Sequence, residues 1–391
     1  MPTRTRIIAL VTVLCTLVVV LVLTFENSSA AATSPSAAPL RHSQGQARGS
    51  AAKTKETARP TAKVQTHFYI GGLGLTVVLP DVPTAAPKPK PKATAAAHPQ
   101  RKVGLPPRTK PGWVTDGHYL RSLLGTPRDL AAMRGLGARD ATRNPPGQKH
   151  MVLLDIGGQA RNGVQLSATT KTISYAALTT ALTAYADGYH SAQRSNAPVT
   201  IALGTNNDLE VSAWTGRRWA QMVTRVQQHA KHYPQITIAG ADDVEPGFSG
   251  GPVQSRNWTR AYLANTSAPL VFNGSADGCS PSSTFSGCNN GWTARDLAWF
   301  GIVAPSRVDF LPQIYNPTMA EQWAQISSTA VRSGRRALNF VGPLTESQAC
   351  HGAPACPTMP SGSAWSALWR TLTGVRLQPR TLPVQIDLNV K

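Results

Sequence analysis

Acidic side chains are scarce: 19 Asp and Glu stand against 39 Lys and Arg in 391 residues, for a formal charge of +20. Such an excess would suit nucleic acid, yet no recognition helix or zinc-finger spacing accompanies it, so no nucleic-acid partner is expected. Cysteine is rare, with five in all. The histidines at 118, 150, 190, 229, 232 and 351 are scattered without HExxH or paired ligand spacing, so no metal site is expected and they read as surface or satisfied residues. Neither Ser249 nor Ser286 sits in GxSxG, which excludes a serine-hydrolase elbow. Phosphate loops and dinucleotide fingerprints are also missing, so no cofactor is expected.

What is present divides into three parts. Arg4 and Arg6 precede a charge-free apolar run from Ile7 to Phe25, the pattern of an export signal. The run is long enough to stay as a membrane anchor, while Ser29, Ala30, Ala31 and Ala32 would suit cleavage; residues 1–30 are therefore a signal peptide or a signal anchor. Residues 31–110 are rich in Ala, Pro, Thr, Ser and Lys and hold 13 Lys and Arg against 2 acids. They read as a disordered tether suited to anionic lipid or wall polymer. Within it lies one β-rich island, residues 67–82, which could be a hairpin, a docking strand or a remnant. Residues 111–391 read as one extracytoplasmic domain, expected to be a monomer, secreted or held at the cell membrane.

Four cysteines fall in this domain as close pairs, Cys279 with Cys288 and Cys350 with Cys356. In an exported chain such pairs read as two disulfides; a zinc site built from all four thiolates is the alternative, though neither pair has the tight spacing such sites favour.

Eight short apolar runs alternate with helical periodicity: HYLRSLL, MVLLDIGGQ, VTIALGTNND, ITIAGADDVEP, PLVFNGSADG, VDFLPQIYN, ALNFVGPLTE and LPVQIDLN. Leu178, Leu182, Ala186 and Tyr189 share one helical face, as do Trp219, Val223, Val226 and Ala230. Pro127 and Asp129 open an earlier helix that Gly137 is expected to close. Eight strand-helix units predict a (β/α)8 TIM-type barrel, with a doubly wound open sheet as the alternative.

A barrel gathers the residues after each strand at one mouth. Those residues are Asp155, Asn206, Asn207, Asp208, Asp242, Asp243, Glu245, Asn273, Ser275, Asp277, Gln313, Tyr315, Asn316 and Glu346. Asp208 and Asp277 read as helix or turn caps. Asp243 and Glu245, spaced i, i+2, would share one strand face and raise one another's pKa, which suits a proton donor. Glu346 could face Glu245 across the mouth, supplying the two acids that glycoside hydrolysis needs. Trp292, after the first cysteine loop, is the candidate for stacking on a sugar, whereas Trp219, Trp299 and Trp323 have core spacing.

MVLLDIGGQ, the DVE of Asp243 to Glu245, and QIYNP from Gln313 to Pro317 resemble motifs of family 18 glycoside hydrolases, the chitinase-like barrels. That resemblance implies Glu245 as general acid, Asp243 as the group that orients an N-acetyl substrate, and Tyr315 with Gln313 holding it. Ile238 and Ala241 stand where that family carries two further aspartates. Val244-Glu245-Pro246 also resembles the retaining glycosidases with one Glu after strand four and another on strand seven, which implies Glu245 as acid/base and Glu346 as nucleophile. Together these point to a glycoside-hydrolase-like protein acting on a cell-wall or environmental polysaccharide, with Asp155, Asn206, Asn207, Asp242, Asn273, Trp292 and Asn316 among the binding residues. A non-catalytic carbohydrate-binding protein is one alternative. A tethered structural domain that binds a protein partner is another.

Overall fold

The computed structural model describes residues 66–70, 73–77, 114–282, 287–350, 358–375 and 381–390. By its contacts the chain divides into two units, residues 1–97 and 98–391. In the first, β1 (Thr66–Ile70) and β2 (Leu73–Val77) form an antiparallel pair with Ile70 opposite Leu73, so part of the 67–82 island is a hairpin. The apolar run from Ile7 to Phe25 lies outside the described residues, and no helix among those described is long and apolar enough to cross a membrane.

The second unit is a parallel α/β structure of TIM type. Its eight parallel strands are β3 (Thr115–Tyr119), β4 (His150–Ala160), β7 (Val199–Leu209), β8 (Ile236–Asp243), β9 (Leu270–Phe272), β10 (Val308–Phe310), β11 (Leu344–Thr345) and β12 (Ile386–Val390). Seven helices lie between them: α1 (Pro127–Arg143), α2 (Tyr175–Ala192), α3 (Ala213–Ala230), α4 (Pro252–Asn265), α5 (Ala294–Val303), α6 (Pro317–Arg332) and α7 (Ser361–Leu372). Strand neighbours run β10-β9-β8-β7-β4-β3-β12-β11, sequential order that a doubly wound sheet would not show. Parallel bridges Phe310↔Phe340 and Gln313↔Leu344 join the two ends of that path, supported by Val341 N donating to Phe310 O and Leu344 N to Pro312 O, both at 2.8 Å.

Strand alternation sorts the apolar side chains into two cores. Leu153, Ala202, Ala239, Ala241, Val271, Leu311 and Ile386 fill the inner one. Val152, Leu154, Ile201, Leu203, Ile238 and Leu270 face outward, where they meet Leu178, Leu182, Trp219 and Val223 of the helices. Each fully buried side chain of this kind contributes roughly 1.5–3 kcal/mol of transfer free energy. Both faces of β4, β7, β8 and β9 are thereby covered, which is why their runs read as continuous rather than alternating.

Helix starts follow their local chemistry. Thr126 and Asp129 form a capping box, with Asp129 N donating to Thr126 Oγ1 at 3.3 Å and Thr126 N to Asp129 Oδ2 at 2.9 Å; Ser212 with Thr215 and Thr293 with Asp296 repeat it. Such a cap is worth about 1 kcal/mol.

Two expectations are corrected. The first strand is TDGHY and ends at Tyr119, because Leu120 and Leu123 turn into the outer core. Gly137 does not close α1, which runs on to Arg143. Instead it lets the helix press against α2: a Cβ there would stand 2.1 Å from Tyr185 O, and one at Gly188 would stand 1.9 Å from Arg134 O. An antiparallel excursion was also unforeseen, in which the end of β4 pairs with β5 (Gly163–Leu166) and β5 with β6 (Thr172–Ser174). Its bend needs Gly157, whose φ of 135° is closed to side chains and whose Cβ would meet Gln165 O at 2.2 Å.

Two glycines in α1 should therefore respond oppositely. Gly135→Ala, where a Cβ meets only the flexible end of Arg139, is expected to stabilise by about 0.5–1 kcal/mol. Gly137→Ala is expected to destabilise by about 1–3 kcal/mol as the helices are forced apart. Urea titrations of both variants check this; similar shifts of the same sign would contradict the packing account.

Candidate active site

At the C-terminal ends of the strands the chain stays extended for a few residues, so positions two apart point the same way. Five strands use this repeat to place pairs on one cleft: Tyr119 and Arg121, Asn206 and Asp208, Asp243 and Glu245, Ser275 and Asp277, Gln313 and Tyr315. Asp155 from β4 and Glu346 after β11 complete the ring, around a cavity of about 560 Å³. Six of the domain's sixteen carboxyls line this one cleft.

The carboxyls differ in how they are held. Glu346 Oε1 accepts hydrogen bonds from the hydroxyls of both Tyr119 and Tyr315. Burial and the charge of Glu346 push both phenols far above their ordinary pKa, so they remain donors. Gln313 Nε2 donates to Asp243 Oδ1 at 2.8 Å. Ser167, carried to the cleft by the β5–β6 turn, donates to Asp155 Oδ1 at 3.3 Å. The other Asp155 oxygen is buried without a partner, as is Ser275 Oγ.

These surroundings favour protons. Burial, and then the neighbouring charge of Asp277, pushes Glu245 from its ordinary 4.5 up to about 8. Burial pushes Asp155 from 3.8 up to about 7. Asp243 is driven well above the carboxylate range by burial and by the charges of Glu245, Asp155 and Glu346. At neutral pH Glu245 can thus act as a proton donor.

Of the residues singled out in the sequence, Asp155, Asn206, Asp243, Glu245, Gln313, Tyr315 and Glu346 come together in the cleft. Asn207 does not line it. Pointing the opposite way from Asn206, it braces the backbone of Glu245, accepting from Glu245 N at 2.8 Å and donating to Glu245 O at 3.1 Å. Asp242 alternates away from Asp243 and is buried behind the cleft, where burial and the charge of Asp155 push it well above its ordinary pKa. Asn273 is fully buried and is not on the cleft wall. Asn316 is the N-cap of α6, its Oδ1 accepting from Met319 N at 3.1 Å. Trp292 has no face open to a sugar: it is 0% exposed and packs 6.1 Å from Phe300 in the outer core.

Asp208 and Asp277, read as caps, line the cleft, although Asp208 also accepts from Ser249 Oγ at 2.6 Å. Tyr119, Arg121, Ser167, Phe248 and Met319 were missed. The correct end of the first strand would have exposed the Tyr119–Arg121 pair through the same two-residue repeat; Ser167 arrives from a hairpin with no strand-end signal. Arg121 stacks on Tyr119, 5.0 Å from its ring centre.

The cysteines bear on the rim. Cys279 and Cys288 form a disulfide, and beside it Asn290 Nδ2 donates to Pro246 O at 2.8 Å, tying the β9 loop to the β8 loop. Cys350 is disulfide-bonded as well, and Cys356 lies outside the described residues. Among the described residues no group of three or more His, Cys, Asp or Glu side chains is arranged to hold a metal ion.

Fold and cleft define an α/β protein of TIM-barrel type with an acid-lined mouth. No family model and no curated protein matches the chain. Solved structures that the chain matches include a sugar phosphate isomerase/epimerase from Parabacteroides distasonis ATCC 8503, 10% identical, covering 70% of this chain and 99% of that one with a TM-score of 0.32. Another is the spore cortex-lytic enzyme SleL from Bacillus cereus, 11% identical, covering 60% of this chain with a TM-score of 0.29. The match spans 51% of the length of SleL.

The raised carboxyls fix the sign of a pH effect on stability. Between about pH 4.5 and 8 folded Glu245 keeps a proton that the unfolded chain has lost, and Asp155 does the same up to about 7. Their contribution is full below the ordinary carboxylate range and is lost as pH rises through 7 to 8. Thermal melts should show the wild type losing stability from pH 4.5 to 8, with a shallower slope for Glu245→Gln. Parallel pH profiles for the two proteins would contradict it.

Proposed function

We propose that the chain is an extracytoplasmic, glycoside-hydrolase-like protein that acts on a cell-wall or environmental polysaccharide. Its N-terminal segment would hold it at or export it across the membrane, and its basic tether would lie against anionic lipid or wall polymer. One observation carries the catalytic reading: a carboxyl held protonated near neutral pH, Glu245, shares an open cleft with Glu346, which two tyrosine hydroxyls fix in place.

In this reading Glu245 gives its proton to the glycosidic oxygen as the bond from that oxygen to the anomeric carbon breaks. Glu346 faces the developing sugar cation, either attacking the anomeric carbon or taking a proton from the water that does. Tyr119 and Tyr315 orient Glu346, and Gln313 with Asp243 lies beside the acid to position the sugar. The family 18 resemblance supports the same acid. A second reading, glycan binding without hydrolysis, is favoured by Ile238 and Ala241, which pack as plain core residues where that family's further aspartates stand.

Release of reducing ends from chitin, peptidoglycan and β-glucans separates the two. Hydrolysis by the wild type should fall about 10²- to 10⁴-fold in Glu245→Gln, and its alkaline limb should lie near pH 8. Equal rates in both proteins would remove Glu245 from the mechanism. Binding with no turnover on any of these glycans would favour the second reading.

A further inference from the structure

The charge of the cleft is opposite to that of the chain. Asp155, Asp208, Asp243, Glu245, Asp277 and Glu346 line it, and Arg121 is the one cationic side chain among the described residues on its wall. That Arg121 lies over Tyr119. The chain as a whole carries +20, so the arrangement is not the local sample of an acidic surface. Two further polar atoms are buried in the wall without partners, Asp155 Oδ2 and Ser275 Oγ, on residues only 2% exposed. A buried carboxyl oxygen left unpaired is unfavourable until a donor reaches it. Since no group of these acids is arranged to hold a metal ion among the described residues, the donors should be spread along a larger ligand.

Resting on the glycan reading above, we propose that the cleft takes a polysaccharide bearing free amino groups, a polymer of unacetylated hexosamine, in preference to neutral or anionic glycans. Ammonium groups along such a chain meet the acids on several strands at once and bring donors to the buried oxygens of Asp155 and Ser275. They also favour the ionised forms of Asp243, Glu245 and Asp155, which burial and mutual charge otherwise disfavour. Uronate, phosphate or sulfate groups would meet like charge on every side except that of Arg121.

The test uses the full chain carrying Glu245→Gln to prevent turnover, with calorimetric titration at pH 7 of four probes. They are the β-1,4-linked glucosamine hexamer, its N-acetylated counterpart, the corresponding glucose hexamer, and hexalysine. The glucosamine hexamer is expected to bind at least about tenfold more tightly than either neutral hexamer, the gap shrinking as salt is raised. Asp208→Asn and Asp277→Asn should each weaken it roughly three- to tenfold, a larger loss than the glucose hexamer shows in the same variants. Neutral hexamers bound as tightly would overturn the proposal, and hexalysine bound as tightly as the glucosamine hexamer would overturn its glycan part. Wild-type protein incubated with the glucosamine hexamer keeps the two readings apart: tight, salt-sensitive binding without bond cleavage sustains this proposal and removes the catalytic one.

Discussion

Extended backbone alternates its side chains with a period of two, and in a closed ring of parallel strands that period is the constraint on which the site depends. At the mouth, each strand that continues for two or three residues contributes the same-facing pair to the cleft and turns the residue between them outward. Asp243 and Glu245 enter the cleft while Asp242 and Val244 leave it, and Asn206 and Asp208 enter while Asn207 leaves. The outward residues then take structural work. Asn207 grips the backbone of Glu245, so the same alternation that presents the acid also secures the peptide that carries it.

Bringing so many carboxyls into one partly enclosed space has an energetic cost, and the surrounding residues show how the fold contains it. Protonation is the first means: burial and mutual charge raise Asp155 to about 7 and Glu245 to about 8, and lift Asp243 well above its ordinary value. Hydrogen bonding is the second, through the two phenols on Glu346 and the amide of Gln313 on Asp243. The two means hold the carboxyls of one cleft differently, Glu245 after β8 by burial and Glu346 after β11 by its two phenol hydrogen bonds.

The order of elements was legible in the sequence because every apolar run ends in Gly, Asn or Asp, and every helix carries a periodic stripe such as Trp219, Val223, Val226 and Ala230. Strand ends were harder. Leu120 and Leu123 prolong the first apolar run, yet they belong to the outer core and not to the strand, and that shift hid Tyr119 and Arg121. Gly137 has the composition of a helix stop but the role of a contact surface, a difference that only the approach of α2 decides. Trp292 illustrates the same limit: proximity in sequence to the rim disulfide suggested an open ring, whereas its packing on Phe300 closes it. The residues that the period of two reaches line the cleft, whereas Asn273, Asn316 and Asp242 do not, because a strand end offers three directions, into the cleft, beneath it and away from it.

Net charge follows a similar logic. An excess of +20 describes the chain, and 13 of its cations lie in residues 31–110, so the total carries almost no information about a pocket built by strand ends. Field at a site is set by the groups that share its low-dielectric walls, and the acidic wall, with Arg121 its one cation among the described residues, outweighs within that cleft a basic surplus spread along residues 31–110. A basic protein can therefore hold an acid-lined site, and the two properties need not share a partner.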